Sequence, residues 1–443
     1  MPRPVVLLSV PALRASDLQQ MPKLLSHLKK GDRAILEPSF PCVTWPVEAH
    51  MLTGKLAESH GVIGNGFFWR EEQQVEMWTA WNEKITAPQI WDRLRDLNPK
   101  LTSAVWFPML SKGCGADYIC MPAPIHNPDG TEDLWCYTKP VEYYGELRAR
   151  LGDFPLQHFW GPLANIKATQ WITDSAVVAA ENFRPDFFYL YIPHLDYAAQ
   201  KEGPNSNSAM MALTELDEVL DRLVAGFQKA YGGVEPLWLV ASEYAIVPVD
   251  HVVYPNRVLR KAGLLEVDER EDGELIALER SKAWALCDHQ FSHVFVRDAD
   301  LKVVQRIVEA FTGMPGIDEV LFGEQRAKYG MNHERSGEVI LISSPNSWQA
   351  YYWWLDDAYA PSFARKVDIH RKPGYDPVEL HLDRATRGTP LDATLVRGSH
   401  GAPAKQKEQL GVLLSSQTGT LAQEHYQDTD VFGLVLQQFE AGQ

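Results

Sequence analysis

Three short, unbroken apolar runs constrain the fold of this chain more than any other feature: Pro4 to Val10, Phe187 to Ile192 and Leu237 to Ala241. A strand with one wet face alternates apolar and polar residues, whereas a run without polar interruption belongs to a strand covered on both faces, as in a parallel sheet between helical layers. Pro11 ends the first run. A helix is expected beyond it, capped by Ser16 or Asp17, with Met21, Leu24, Leu25 and Leu28 as its inward stripe. Between the second and third runs, Leu213, Leu216, Leu220 and Leu223 recur at helical spacing in an otherwise polar segment. Strand, helix, strand in that order implies parallel pairing with right-handed crossovers. Open sheets of this kind place their chemistry beyond the carboxyl ends of the strands, here Pro11, His194 to Gln200, and Ser242 to Ala245.

From about 256 to 336 the texture changes to shorter alternating stretches, including Ser292 to Val296, with a helix-like Leu301 to Phe311. This reads as a small α+β insertion, a cap over a core made of 1–255 and 337–443. The net charge of −16 over 443 residues disfavours nucleic acid and anionic membrane surfaces as partners. No run approaches the length of a membrane span, and the apolar N-terminal run is too short for a signal segment. The five cysteines (Cys42, Cys114, Cys120, Cys136 and Cys287) are odd in number and irregularly spaced, which suits neither a disulfide framework nor a paired zinc motif. A cytoplasmic location is the expectation.

The stretch FPCVTWPVEAHMLTGKLAESHGVIGNGFFWR, Phe40 to Arg70, resembles the nucleophile region of the nucleotide pyrophosphatase/phosphodiesterase branch of the alkaline phosphatase superfamily. Its variant resembles phosphonoacetate hydrolase-like members most. SVPALR (Ser9 to Arg14), YIPHLD (Tyr191 to Asp196), ASEYA (Ala241 to Ala245) and GSHG (Gly398 to Gly401) stand in the order of the family's remaining motifs. The resemblance implies an α/β fold, a three-layer α/β/α body with a mostly parallel central sheet and an inserted cap. It also implies a threonine nucleophile, Thr44, with Asn65 as a donor to phosphate oxygen. In such chemistry divalent ions lower the hydroxyl pKa and clamp the entering and leaving groups.

Against that pattern the ligand set is altered. The first-strand aspartate is Pro11, the histidine of the D-x-x-x-H pair is Gln200, and the D-H pair is Glu243 and Tyr244. Asp196, Glu243 and His400 remain as metal ligands, and Glu48, one helical turn from Thr44, is a candidate replacement for the lost aspartate. His194, His289, His293, Asp368 and His370 are further candidates to fill the gaps. A carboxylate-rich set suits manganese or magnesium better than zinc, with zinc kept as a candidate, as one or two ions. Three readings stay open: a rewired site, a single-metal site, and a metal-free descendant.

Each of these residues also has a structural reading. Thr44 is a good helix cap, Asn65 sits between glycines as turn residues do, and Asp196 can cap a helix. His289 and His293 fall before an alternating stretch and read equally as satisfied core histidines. His370 and Arg371 flank a Pro-Gly turn, a common place for solvated charge. The aromatic run Tyr351 to Tyr359 reads as packing between insertion and core. As substrate contacts, Gln200, Tyr244, His289, His293, His370 and Arg371 complete the expected site. The resulting expectation is a hydrolase or transferase acting on a small phosphate or phosphonate ester, with a homodimer as the candidate assembly. The alternatives are a catalytically degenerate metabolite-binding protein and a metal-free enzyme using acid–base chemistry.

Overall fold

The structure is a computed structural model that describes residues 3–126 and 132–440. In chain order the principal strands are β1 (Val5–Ser9), β2 (Arg33–Glu37), β3 (Ser103–Trp106), β4 (Tyr118–Pro122), β5 (Cys136–Lys139), β6 (Phe187–Tyr191), β7 (Leu237–Ala241), β8 (Ala283–Asp288), β9 (Phe291–Val296), β10 (Ile317–Phe322), β11 (Val339–Ser343), β12 (Gly411–Ser415) and β13 (His425–Gln427). The helices that frame them are α1 (Thr44–Thr53), α2 (Ile166–Phe183), α3 (His194–Glu202), α4 (Asn207–Ala230), α5 (Leu301–Phe311) and α6 (Asp430–Glu440).

The central sheet has the order β13-β2-β12-β7-β1-β6-β3-β4-β5. Its middle is parallel, with β1 flanked by β6 and β7 and continued through β3 and β4. β12 runs against β7 and β2, and β5 against β4. Every residue of β1, β6 and β7 is buried because the pleat sends alternate side chains to two different cores. Val6 and Leu8 face one core with Ile172 and Ala176 of α2 and Leu213, Leu216, Leu220 and Leu223 of α4. Val5 and Leu7 face the other with Val47 and Met51 of α1 and Val431 and Val435 of α6. These are the three expected layers, with β1 at their centre.

The segment after β1 departs from the expected single helix. Met21, Leu24 and Leu28 are buried, but Leu25 is 37% exposed, and the segment is divided between a turn of 3-10 helix, Asp17–Gln20, and a short helix, Pro22–His27. Pro22 has no amide to continue the preceding turn and starts a new one. Asp17 binds Arg14 instead of capping the helix, through the Arg14 amide at 2.9 Å and its guanidinium at 2.8 Å.

The cap is a four-stranded antiparallel sheet in the order β8-β9-β11-β10. Val303, Val304, Ile307 and Phe311 of α5 are buried in the same apolar cluster as its strands. The central strand β11 comes after residue 336, so the sheet extends beyond the expected 256–336 span. Pairing rather than texture sets this limit, since Ile340 and Leu341 are opposite both β9 and β10. Tyr351, Tyr352, Trp353 and Trp354 are buried in the cap's cluster. All five cysteines are free and buried. No helix among the described residues is long and apolar enough to cross a membrane.

Candidate active site

Thr44 is the first residue of α1, after an extended Val43 that offers no side-chain cap. The amides of this first turn are therefore available to other partners. One is taken by Asn65, whose Oδ1 accepts from the Trp45 amide at 3.2 Å. Asn65 is held in turn by Asp288, which accepts from its backbone amide at 2.7 Å and its side-chain amide at 3.2 Å.

Asp288 ends β8, and the hairpin to β9 has two loop residues, His289 and Gln290. His289 has φ 57°, a left-handed backbone that tight hairpins usually give to glycine. Its Nδ1 lies 2.6 Å from Asp288 Oδ1, and its ring stacks on Tyr375 at 3.7 Å. The loop carrying His400 is stitched between this hairpin and the nucleophile segment. Gln290 N donates to His400 O at 3.0 Å, and Cys42 N to Gly401 O at 3.2 Å. Gly401 has φ 116°, and a Cβ there would lie 3.1 Å from Gln290 N.

Asp196 and Gln200 both lie on α3, one turn apart, beyond the end of β6. Gln200 Nε2 donates to Asp196 Oδ2 at 2.7 Å, while Tyr375 Oη donates to Gln200 Oε1 at 2.5 Å. Tyr244, beyond β7, donates from Oη to Asp196 Oδ1 at 3.3 Å, and its Oη is 3.1 Å from Thr44 Oγ1. With its proton directed to Asp196, the tyrosine oxygen is free to accept from the threonine hydroxyl, which is also within reach of Glu243. The Tyr244 ring lies flat against His400, with centroids 3.6 Å apart and planes 6° apart. His400 Nδ1 donates to Cys42 O at 2.8 Å, so the lone pair is on Nε2, which has no hydrogen-bond partner and lies 4.0 Å from Asp196 Oδ1.

The structure thus brings Thr44, Asn65, Asp196, Gln200, Tyr244, His289 and His400 together. It adds Asp288 and Tyr375, which the sequence reading did not single out although both lie in segments it considered. Neither contributes a recognisable motif; Tyr375 matters because the 372–376 loop folds back against α3.

Other expected contacts are corrected. Glu48 does not turn toward Asp196 but accepts from Tyr189 Oη of β6 at 3.2 Å, because the buried face of α1 packs on the sheet. Glu243 stays beside Thr44: its Oε1 accepts from Ser9 Oγ at 2.6 Å, and its buried Oε2 has no hydrogen-bond partner. His293 is enclosed in the cap sheet, its Nε2 donating to Ile63 O at 2.9 Å and its Nδ1 accepting from Gly337 N at 3.1 Å. Both nitrogens are therefore used by backbone. His194 lies 2.9 Å from Glu215 of α4. Exposed Arg371 donates to Asp368 at 2.5 Å and lies over Phe363, so its charge is matched on its own loop. Exposed His370 has its Nδ1 3.2 Å from Met77 O.

Burial dominates the electrostatics. It pushes the carboxyl of Asp196 up to about 7, against the downward pull of the Tyr244 and Gln200 hydrogen bonds. It pushes Glu48 to about 8 and Asp288 to about 6, and holds Glu243 well above the usual carboxylate range. Burial also holds His289 and His400 well below the ordinary histidine value. Among the leading influences on these four carboxyls there is no lysine or arginine. A buried carboxylate without a cation takes up a proton in preference to standing charged.

The expected divalent metal does not fit this donor set. Among the described residues, no group of three or more His, Cys, Asp and Glu side chains is arranged to hold an ion. Pro11 has no ligating atom, Glu48 Oε1 is engaged by Tyr189, Glu243 Oε1 by Ser9, leaving its Oε2 unpartnered, and both Asp196 oxygens accept hydrogen bonds.

The family model for type I phosphodiesterase / nucleotide pyrophosphatase matches residues 5–376. The chain belongs to that family. Among curated relatives, an uncharacterized pyrophosphatase/phosphodiesterase of Schizosaccharomyces pombe is 26% identical over 51% of this chain and 41% of its own length. Ectonucleotide pyrophosphatase/phosphodiesterase family member 3 of Rattus norvegicus is 23% identical over 51% of this chain and 23% of its own. The chain thus spans less than half the length of the curated relatives it matches. Among solved structures, phosphonoacetate hydrolase from Sinorhizobium meliloti 1021 in complex with phosphonoacetate aligns with a TM-score of 0.64 at 17% identity, covering 99% of this chain and 96% of that one. An inactive variant of murine ectonucleotide pyrophosphatase/phosphodiesterase 5 in complex with AMP aligns with a TM-score of 0.62 at 13% identity, covering 99% and 95%. At these identities the likeness establishes a shared fold, that of alkaline phosphatase-like phosphodiesterases.

Proposed function

We propose that this chain is a hydrolase of small phosphate or phosphonate esters in which Thr44 attacks phosphorus. The observation that carries the reading is the hydrogen-bonded line from Thr44 Oγ1 through Tyr244 Oη to Asp196 Oδ1, with steps of 3.1 and 3.3 Å, at the start of α1. Along it the threonine proton has a path to a carboxyl whose pKa, raised by burial to about 7, suits a base working near neutrality. Attack forms the Thr44 oxygen–phosphorus bond and breaks the bond to the leaving oxygen. The proton displaced along the line is then returned to the leaving alcohol, and water releases the phosphoryl group. Family membership and the phosphonoacetate and AMP complexes of the structural neighbours support this substrate class.

A panel of nucleotide diesters, aryl phosphodiesters and phosphonates provides the test. Thr44→Ala abolishes turnover, and Tyr244→Phe lowers kcat by about a hundredfold or more, the usual worth of a positioned proton-transfer group. Mass spectrometry of acid-quenched protein finds phosphate on Thr44. Unchanged turnover in purified Thr44→Ala overturns the assignment.

A second reading, a protein that binds such a metabolite without turning it over, is favoured by one observation. The cluster combines four buried carboxyls whose pKa values are raised chiefly by burial, a surrounding poorly suited to stabilising further negative charge on phosphorus. That protein would show no turnover on any ester, and its ligand would raise Tm by mass action.

A further inference from the structure

We infer that the Tyr244 hydroxyl takes the place of a divalent cation in this site, so that Thr44, Asp196 and His400 are organised by hydrogen bonds and hold no Zn2+, Mn2+ or Mg2+. The inference concerns the site's construction and holds for either reading above.

A cation placed between a threonine hydroxyl and a carboxylate would bind both oxygens. Here the phenol oxygen does so, 3.1 Å from Thr44 Oγ1 and 3.3 Å from Asp196 Oδ1. Its position is fixed from behind, since the ring is stacked flat on His400 and is 1% exposed. A phenol is a weak ligand unless ionised, and this one already spends its proton on Asp196.

The second half of the site is closed by Gln200. An amide could ligate weakly through Oε1, but that atom accepts the Tyr375 hydroxyl at 2.5 Å, which turns the NH2 group toward Asp196. Tyr375 is itself anchored. Lys372, 1% exposed, lies 2.8 Å from Asp376 and 2.6 Å from Glu379, and the Trp160 indole donates to Glu379 at 2.6 Å while its ring packs 5.6 Å from Tyr375. The amide therefore presents a donor where a ligand would present a lone pair.

The lone pair of His400 Nε2, the unpartnered Glu243 Oε2 and any oxygen that Asp196 frees do not converge, since among the described residues no three such side chains are grouped to hold an ion. Protein zinc sites use at least three protein ligands, and magnesium or manganese sites of this sparseness lean on substrate phosphate for the remainder.

The test measures metal on the full chain purified without chelators or a metal-carrying tag. Protein is incubated with zinc, manganese or magnesium chloride and dialysed, then assayed by elemental mass spectrometry and thermal unfolding. The expected result is no stoichiometric metal and an unchanged Tm. Metal that persists in both Asp196→Ala and His400→Ala is held elsewhere and agrees with the proposal. About one ion per chain, lost in both variants, overturns it.

The variant Tyr244→His/Gln200→His returns two imidazoles to the site. It is expected to retain near-stoichiometric zinc and to rise in Tm on zinc addition, as binding to the folded state requires. The wild-type measurement stands if this variant does not fold. Neither readout involves turnover, so a catalytically silent protein leaves the result intact.

Discussion

At His293 both ring nitrogens are occupied by backbone, one as donor and one as acceptor, which fixes a neutral ring. Burial lowers its pKa to about 4, against an ordinary value near 6.5. The unfolded chain therefore takes up a proton here at a higher pH than the folded chain does. The stabilisation is fully present above about pH 6.5 and is lost as pH falls toward about 4, amounting to on the order of 3 kcal/mol. Urea denaturation between these values should show the decline, and the ring signals of His293 should titrate in nuclear magnetic resonance with a midpoint near 4. A midpoint near 6.5 would mean that the ring is solvated. Spacing alone cannot distinguish such a histidine from a ligand, because His289 and His293 share a short segment and differ only in what the hairpin places around them. The identities of Thr44, Asp196, Tyr244 and His400 were legible from motif order. The orientation of Glu48 was not, since it depends on how closely α1 packs on Tyr189.

Among the elements, α4 and the loop around His400 make the clearest predictions. Leu216 is fully buried in the core shared with β1 and β6, and Leu216→Ala is expected to cost about 2–5 kcal/mol by denaturant midpoint. Its periodic leucines made this helix readable in advance, as the apolar runs did for β1, β6 and β7. Gly401→Ala should act differently. A methyl at φ 116° and 3.1 Å from Gln290 N has to displace the hairpin tip or the His400 loop. We expect a loss of about 1–3 kcal/mol, together with a drop in ligand affinity or turnover. A change in stability without a change at the site would show that the loop and hairpin can move apart freely. The segment after β1 was not legible to the same degree, because Pro22 interrupts a stripe whose spacing is otherwise helical.

For the whole molecule, core and cap share an apolar cluster. Phe40, Val43, Trp45 and Ala49 from the nucleophile segment lie in it with Phe291, Ile340 and Ile342 from the cap sheet. Fluorescence and circular dichroism are therefore expected to report one coincident urea transition, whereas two separated transitions would show that the cap folds independently. The site takes side chains from position 44 to position 400 of the chain. Assembling it requires closing nearly every long loop in the protein, which gives the site a high contact order and places its completion late in folding. A nascent chain released before its GSHG segment would contain most of the central sheet and no finished site. Recovery of ligand binding after dilution from urea should therefore lag behind recovery of helical signal, making this cluster a natural reporter of complete folding.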